Sequence, residues 1–201
     1  MKDKGMKEMS VRVSRFDPGE DQAPHFQTYH VQVNEGARVL HLLHAIHEEH
    51  DPTLAYRYCC GSGQCGSCAV RVNGEPVLAC MEEARDGITI EPLELPVQKD
   101  LMVDLEPYLA VIPALVPGED FVMPGPDTVE AIKPLRSCIE CLACVSACPA
   151  LKVISFAGPT AMREDLRLAL DPRDSNDRVT EAVKAGLFTC TSCQACWKVC
   201  P

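Results

Sequence analysis

Cysteine is the feature that most constrains this chain, since its 201 residues include 13 cysteines in two blocks. The first block runs from Cys59 to Cys80 and the second from Cys138 to Cys200. A secreted disulfide framework normally pairs its cysteines, so an odd number at tight spacings argues against one. Clustered thiols in a reducing compartment usually bind metal. We therefore predict twelve ligands in three sets of four, with one cysteine left over.

The composition excludes several classes of protein. The formal net charge is −10 at pH 7, which makes nucleic acid and anionic membrane surfaces poor partners. No apolar run reaches the roughly 18 residues that a transmembrane helix needs. The N-terminal stretch "MKDKGMKEMS" leads into no apolar segment of the kind found in secretory signals. We expect a cytoplasmic chain, with any link to the inner face of a membrane made through a partner.

The first half of the chain has a mixed α/β pattern. Alternating apolar residues predict a strand over Ser10–Phe16 and its hairpin partner over Thr28–Val33. Apolar residues at helical spacing predict a helix in the stretch from Ala37 to His50. Asn73-Gly74 indicates a tight hairpin, and "GITIEPL" adds a further strand. A strand hairpin, a helix and more strands, in that order, are typical of a β-grasp ferredoxin.

The second half has a different pattern. Half of the 16 prolines lie between Pro92 and Pro134, so we predict an extended connector there. Two helices are expected beyond it. "GPTAMREDLRLALD" places Pro159 at a first helical position, and "DRVTEAVKAGLF" places Gly186 near a helix end.

The first cysteine block matches a plant-type [2Fe–2S] spacing. Cys60-x4-Cys65-x2-Cys68 is followed by Cys80 on the far strand of the Asn73-Gly74 hairpin. Glycines between the ligands allow backbone N–H groups to approach the sulfurs of a negatively charged cluster. A zinc site shares the four-thiolate chemistry but usually shows paired C-x2-C spacings.

The second block contains two runs of one pattern, "CIECLACVSACP" and "CTSCQACWKVCP". Both match the bacterial two-cluster ferredoxin run, in which the fourth cysteine of each run binds the other cluster. The pattern therefore predicts two [4Fe–4S] clusters with exchanged fourth ligands. One ligand set is Cys138, Cys141, Cys144 and Cys200. The other set is Cys148, Cys190, Cys193 and Cys196.

Two further features are assigned no metal. Cys59 is the leftover thiol, and we interpret it as a small buried side chain rather than an alternative ligand. Four histidines recur every three residues, at positions 41, 44, 47 and 50. Steps of three drift around a 3.6-residue helix, so the four cannot face one metal. We expect a solvated or partner-facing side.

At these motifs the chain resembles the iron–sulfur subunit of succinate dehydrogenase and fumarate reductase. Further segments in the family's order are "RFDP", "IEPL", "VQKDLMVDLEPY" and "GPTAMREDLRLALDPRDS", so the resemblance covers nearly the whole chain. It implies an α+β protein in three parts. Residues 1–105 would form a β-grasp plant-type ferredoxin domain, residues 106–134 a Pro-rich connector, and residues 135–201 an α-helical two-cluster ferredoxin domain.

The resemblance also implies a role in an oxidoreductase complex, passing electrons between a flavoprotein subunit and a second redox partner. No glycine-rich dinucleotide fingerprint follows a strand, so flavin and substrate chemistry are expected on the partner and no catalytic residue is assigned here. Since Cys200 would be a ligand one residue from the end, we expect the natural protein to continue beyond Pro201.

Two departures from the quinone-linked members bear on the second partner. Those members lack the cysteine that corresponds to Cys193 and hold a [3Fe–4S] cluster, whereas Cys193 is present here. They also carry tryptophans after the run that corresponds to Cys138–Cys148 and a histidine where Thr191 stands, so no quinone pocket is expected, and Trp197 is expected to pack beside a cluster. These departures resemble the thiol-driven fumarate reductases of methanogenic archaea, in which a Cys-Cys-Gly domain like that of heterodisulfide reductase oxidises coenzyme M and coenzyme B.

Three alternatives stay open at this point. The chain could belong to a quinone-linked complex with a membrane cytochrome subunit. It could be a ferredoxin-like carrier that serves another flavoprotein or a heterodisulfide reductase complex. It could also be a structural zinc protein, in which case the purified sample would be colourless.

Overall fold

In the computed structural model, which describes residues 5–120, 122–153 and 155–201, the two predicted N-terminal strands pair as an antiparallel hairpin. They are β1 (Met6–Arg15) and β2 (His25–Asn34). The alternation seen in the sequence corresponds to burial, since Val11 and Val13 of β1 and Val31 of β2 are fully buried. The prediction of this hairpin is confirmed.

Three more strands complete a five-stranded sheet of order β2-β1-β5-β3-β4. They are β3 (Ala69–Val72), β4 (Glu75–Leu78) and β5 (Ile88–Glu91). β5 runs parallel to β1 and antiparallel to β3. Asn73 and Gly74 both have positive φ, 52° and 87°, as the predicted tight turn between β3 and β4 requires.

The predicted helix is present in two parts. α1 (Val39–Ala45) continues as a π-helical turn over Ile46–His50, and Asp51 ends it. The apolar stripe packs inward, with Leu42 and Ile46 fully buried. Single π-turns in helices are often associated with functional sites.

A buried ion pair fixes the loop that precedes the first cysteine block. Arg15 at the end of β1 donates from Nε to Oδ1 of Asp100, which is 1% exposed, over 2.9 Å. Asp100 also accepts backbone N–H bonds from Phe16 at 2.9 Å and from Ala55 at 2.8 Å. Because Ala55 lies five residues before Cys60, this carboxylate positions the chain that enters the cysteine loop.

The chain divides into two compact units, Met1–Asp104 with Val199–Pro201, and Leu105–Lys198. The Pro-rich segment from Pro92 to Pro134 is not simply extended. It contains a small hairpin of β6 (Val97–Lys99) and β7 (Met102–Val103) and two short helices, α2 (Glu106–Leu109) and α3 (Pro126–Ile132). Each helix carries a proline in its first turn, where proline costs no hydrogen bond and therefore begins a helix instead of preventing one.

The second unit is helical beyond that segment. α5 (Pro159–Ala169) and α6 (Arg178–Lys184) confirm the two predicted helices, and Pro159 is the first residue of α5. Two four-residue helices, α4 (Ala143–Ser146) and α7 (Ala195–Lys198), lie inside the two cysteine runs. No helix among the described residues is long and apolar enough to cross a bilayer.

Candidate iron–sulfur sites

The loop from Cys60 to Cys65 directs backbone N–H groups at cysteine sulfurs. Cys60 Sγ accepts from the N–H of Ser62 at 3.4 Å and from that of Gln64 at 3.3 Å. The Cys60 N–H donates to Cys65 Sγ at 3.5 Å. These bonds stabilise a thiolate, and the first two lower the pKa of Cys60 to about 6. The loop is therefore suited to hold negatively charged sulfur near neutral pH.

The same loop reaches the distant fourth cysteine. The N–H of Gly63 donates to Cys80 Sγ at 3.3 Å, and Cys80 follows β4 as the hairpin prediction required. Gly63 has a φ of +76°, and a Cβ atom on it would lie 3.0 Å from Met81 Sδ. This φ favours glycine, and a Cβ atom here would also press on the end of the Met81 side chain.

The four predicted ligands of this block differ in burial. Cys60 is exposed and Cys65 is half-buried, whereas Cys68 and Cys80 are buried. Burial raises the pKa of Cys68 to about 11; the backbone N–H of Cys80 opposes the increase, and the thiol of Cys80 adds to it. A buried pair of thiols ionises readily only when a metal supplies positive charge, because metal binding displaces the protons. The donor set therefore fits a thiolate-bound metal cluster.

The second unit contains a cavity of about 370 Å³ that gathers four cysteines. They are Cys148, Cys190, Cys193 and Cys196, which together make up one of the predicted ligand sets. The remaining wall is largely apolar, with Phe156, Met162, Leu187 and Trp197 among the lining residues. Four thiols in a mainly apolar cavity fit the chemistry of a thiolate-ligated cluster.

The thiols around this cavity also differ in the direction of their pKa shifts. Burial raises the pKa of Cys196. The pKa of Cys193 is lowered, chiefly by a backbone hydrogen bond from Ala195 in the first turn of α7. Trp197 lines the cavity beside Cys196, but its side chain is 80% exposed, so its packing against a cluster stays a prediction.

The other predicted set is only partly assembled within one unit. Burial raises the pKa of Cys144 to about 11, and the charges of Cys141, Cys138 and Cys196 of the other set add to the increase, while the Thr160 hydroxyl opposes it. Cys144 Sγ lies 3.3 Å from Thr160 Oγ1 in α5. Cys200 belongs to Val199–Pro201, which groups with the first unit, and its place in this set stays a prediction. In the described parts of the chain, no three His, Cys, Asp or Glu side chains form a site for a single metal ion.

The two runs share an unusual backbone that sequence reasoning missed. Residues two and four positions after the first cysteine are left-handed in both runs. These are Glu140 and Leu142 in one run, with φ of 53° and 59°, and Ser192 and Gln194 in the other, with φ of 54° and 62°. None is a glycine, so each costs strain that persists only where surrounding structure or a ligand requires it. Left-handed residues are a component of the backbone nests in which successive N–H groups bind anions.

One prediction about side features is wrong and another holds in part. Cys59 is exposed and not a buried hydrophobe, because the loop that carries it faces solvent. In the histidine row, His41 and His50 are exposed as expected, whereas His44 and His47 are half-buried. His44 Nδ1 lies 2.8 Å from the Tyr56 hydroxyl, and its ring meets the Tyr58 ring edge to face at 4.6 Å between centroids. Neither tyrosine carried a periodic signal in the sequence.

The geometry agrees with comparisons to known proteins. A family described as "2Fe-2S iron-sulfur cluster binding domain" matches residues 10–110, and one described as "4Fe-4S dicluster domain" matches residues 134–201. The fumarate reductase iron–sulfur subunit of Mycobacterium tuberculosis is 34% identical over 215 residues, which cover 98% of this chain and 87% of that protein. The chain belongs to the iron–sulfur subunit family of fumarate reductase and succinate dehydrogenase.

Structural similarity agrees with this family membership. A chain of the Mycobacterium smegmatis Sdh1 complex in the apo form superimposes with a TM-score of 0.90 at 30% identity, covering 98% of this chain and 89% of that one. The predicted α+β architecture, a [2Fe–2S] ferredoxin domain followed by a helical [4Fe–4S] domain, is thereby confirmed.

Relatives from methanogenic archaea are longer. A subunit of the CoM/CoB fumarate reductase of Methanothermobacter marburgensis is 42% identical over 199 residues, which cover 96% of this chain but 41% of that protein. An iron–sulfur protein of Methanocaldococcus jannaschii is 40% identical over 201 residues, and the aligned part is again 40% of its length. The chain thus spans about two fifths of these relatives and most of the bacterial subunits.

Proposed function

We propose that this chain is the electron relay of a fumarate reductase or succinate dehydrogenase type complex, with one [2Fe–2S] and two [4Fe–4S] clusters. The [2Fe–2S] cluster is held by Cys60, Cys65, Cys68 and Cys80. One [4Fe–4S] cluster is held by Cys138, Cys141, Cys144 and Cys200. The other is held by Cys148, Cys190, Cys193 and Cys196. Electrons pass between a flavoprotein subunit, which carries the fumarate or succinate chemistry, and a second redox partner.

The cavity of the second unit is the observation that supports this proposal most. It joins Cys148 of one run to three cysteines of the other, as exchanged ligation requires. It also includes Cys193, so four thiols are available where a three-iron cluster would use three. The bound clusters would supply one-electron chemistry. The protein would hold their thiolate ligands and direct N–H groups at the sulfurs.

For the second partner we propose a thiol- or heterodisulfide-linked protein with a Cys-Cys-Gly domain. Two observations support it. The relative at 42% identity is named as a CoM/CoB fumarate reductase subunit, and the run from Cys190 to Cys200 keeps Cys193. The alternatives are a quinone-linked complex with a membrane cytochrome subunit and a free carrier that resembles a ferredoxin.

An anaerobic affinity purification of the native complex on this chain tests the proposal. Partners are identified by mass spectrometry, flavin is assayed, and clusters are counted by iron analysis and electron paramagnetic resonance (EPR). A flavoprotein together with a Cys-Cys-Gly protein is the expected result. A membrane cytochrome subunit in its place would favour the quinone-linked alternative. A sample without flavoprotein would leave a free carrier, and a colourless zinc-containing sample would contradict the relay itself.

A further inference from the structure

Arg163 on α5 carries a buried hydrogen-bond donor that has no partner. Its Nε atom is buried, although the side chain as a whole is 20% exposed, and it donates to no acceptor in the described parts of the chain. No other buried side-chain nitrogen or oxygen of those parts lacks a partner. An unpaired buried donor destabilises a folded protein, so it is rare in native structures and often marks the place of an absent ligand.

The far end of the same side chain is anchored beside the first [4Fe–4S] cysteine run. Nη1 of Arg163 donates to the carbonyl oxygen of Leu135 at 3.0 Å, and Leu135 lies three residues before Cys138. This bond fixes the guanidinium against the short helical turn Pro134–Ser137 that leads into the run. The buried Nε is therefore held close to the segment that enters the predicted cluster site.

α5 also contacts the other end of this run. Thr160 is 2% exposed, and its Oγ1 lies 3.3 Å from Cys144 Sγ. Residues three apart on a helix are neighbours, and helical side chains lean toward the N-terminus, so Arg163 extends toward the turn that carries Thr160. Since α5 contacts both α4 and the turn before Cys138, its face with Thr160 and Arg163 is the one that the run covers.

The charge of Arg163 is not cancelled by a carboxylate of its own. Glu164 accepts from Nη1 of Arg163 but also accepts from Nε of Arg167 at 2.9 Å. Asp171, which lies 3.7 Å from Arg167, is itself paired with Arg173 at 2.7 Å. Three guanidinium groups therefore share two carboxylates, which leaves one positive charge in this group of side chains. A cluster with four thiolate ligands carries charge of the opposite sign.

We infer that Arg163 Nε donates a hydrogen bond to a sulfur of the [4Fe–4S] cluster assigned to the run from Cys138, and that this bond makes the cluster easier to reduce. The inference rests on the proposed function and adds a tuning residue to the relay. When the cluster accepts one electron from its neighbour in the relay, its negative charge grows by one, while the guanidinium stays protonated. A charged donor at a cluster sulfur stabilises the reduced state more than the oxidised state and so raises the reduction potential.

A redox titration of the anaerobically purified complex, followed by EPR, tests the effect on potential. Arg163→Met should lower the midpoint potential of one [4Fe–4S] signal, with at least a tenfold smaller ratio of reduced to oxidised cluster at a fixed potential (about 59 mV for one electron). Thr160→Val removes the hydroxyl beside Cys144 and should shift the same signal, which identifies it. Arg167→Met removes an equal charge one turn further along α5 and should leave both potentials unchanged.

A second measurement detects the hydrogen bond itself. The complex is prepared with arginine that carries a heavy nitrogen isotope, and pulsed EPR records the coupling of nitrogen nuclei to the reduced cluster. We expect a coupling in the parent and in Arg167→Met that disappears in Arg163→Lys. The lysine variant keeps the positive charge, so its midpoint potential should lie between those of the parent and Arg163→Met. Iron content and thermal unfolding of each variant establish that the chain is folded and loaded.

Either of two results would overturn the inference while leaving the relay in place. With both [4Fe–4S] clusters present, Arg163→Met could give the same potentials as Arg167→Met. The labelled parent could also show no coupling that depends on Arg163, which would restrict this residue to holding Leu135. A complex without a cluster on the Cys138 run would overturn both the inference and the proposed function.

Discussion

At the scale of a single residue, Cys193 would decide how many irons the proposed cluster of the second unit's cavity holds. It lines the cavity with three other cysteines of its predicted set. We predict that Cys193→Ser converts this [4Fe–4S] cluster to a three-iron centre, because the iron bound by the exposed Cys193 loses its thiolate ligand. EPR of the oxidised protein should show a new three-iron signal, and iron analysis should show the loss of about one iron per chain.

Cys59→Ser provides the matched control for that experiment. Cys59 is also exposed but belongs to none of the predicted sets, so its variant should keep the spectra of the parent chain. A Cys193→Ser protein with unchanged spectra would contradict the ligand assignment. A Cys59→Ser protein that loses the [2Fe–2S] signal would show that the adjacent thiol is a ligand.

Gly63 sets the shape of the [2Fe–2S] loop. We predict that Gly63→Ala destabilises the protein by about 1–3 kcal/mol, because alanine would take a left-handed conformation and crowd the sulfur of Met81. Denaturant unfolding under anaerobic conditions measures the change, and visible absorbance follows the cluster. Gly87→Ala has a similar φ of +77° with open space around it, so it isolates backbone strain from the contact. Equal losses in both variants would remove the role assigned to Met81.

At the scale of elements, the end of α1 is joined to the cysteine loop through His44 and Tyr56. Burial is the main cause that lowers the pKa of His44, and the nearby His41 and His47 also lower it while Glu48 opposes them. The folded state therefore favours neutral His44, and the unfolded chain binds more protons in the pH window just below 6.5. The contribution of His44 to stability is present above that window and is lost as the pH falls through it.

His44→Gln is therefore expected to flatten the acid side of the stability profile. The measurement is the free energy of unfolding between pH 5 and pH 8, and the parent chain should lose stability more steeply below pH 6.5 than the variant. His30→Gln changes an exposed histidine on β2 and should follow the parent. If the two variants give the same profile, the half-buried histidine does not carry this pH dependence.

A buried arginine holds the start of α6. Arg178 is 4% exposed and donates to Asp174 Oδ2 and to the carbonyl oxygen of Ala114, both at 2.6 Å. Arg178→Ala should cost about 3–5 kcal/mol, since it leaves the Asp174 carboxylate buried without its partner. Arg85→Ala removes an arginine that is 68% exposed and should cost no more than about 1 kcal/mol. Thermal unfolding compares the two, and similar losses would contradict the burial argument.

At the scale of the whole molecule, the cysteine spacings predicted most of the organisation. The hairpins, α5 and α6 followed from local patterns, because alternation, tight-turn residues and a proline at a helix start act within a few residues. The Pro-rich segment was misread as extended because a proline in a first helical turn looks the same in sequence as one that prevents a helix. The exposure of Cys59 and the burial of His44 depend on contacts with distant residues, which no local pattern contains.

The left-handed residues of the two runs show a second limit. Glu140, Leu142, Ser192 and Gln194 have no residue preference that would predict a positive φ. Their conformation follows from wrapping a short chain around a site, so only the repeated spacing of the cysteines hinted at it.

The cavity lined by Cys148 and Cys190 has a consequence for how long each chain survives in the cell. A cluster bound to both residues closes a chain loop of about 40 residues, which in the entropic treatment of cross-links corresponds to about 4 kcal/mol removed from the unfolded state. The bound cluster would then act as a removable cross-link between the two ends of this loop. Oxidative loss of iron would remove this cross-link and make the unfolded state more accessible. Damage to the electron path would therefore also increase the susceptibility of the chain to proteolysis.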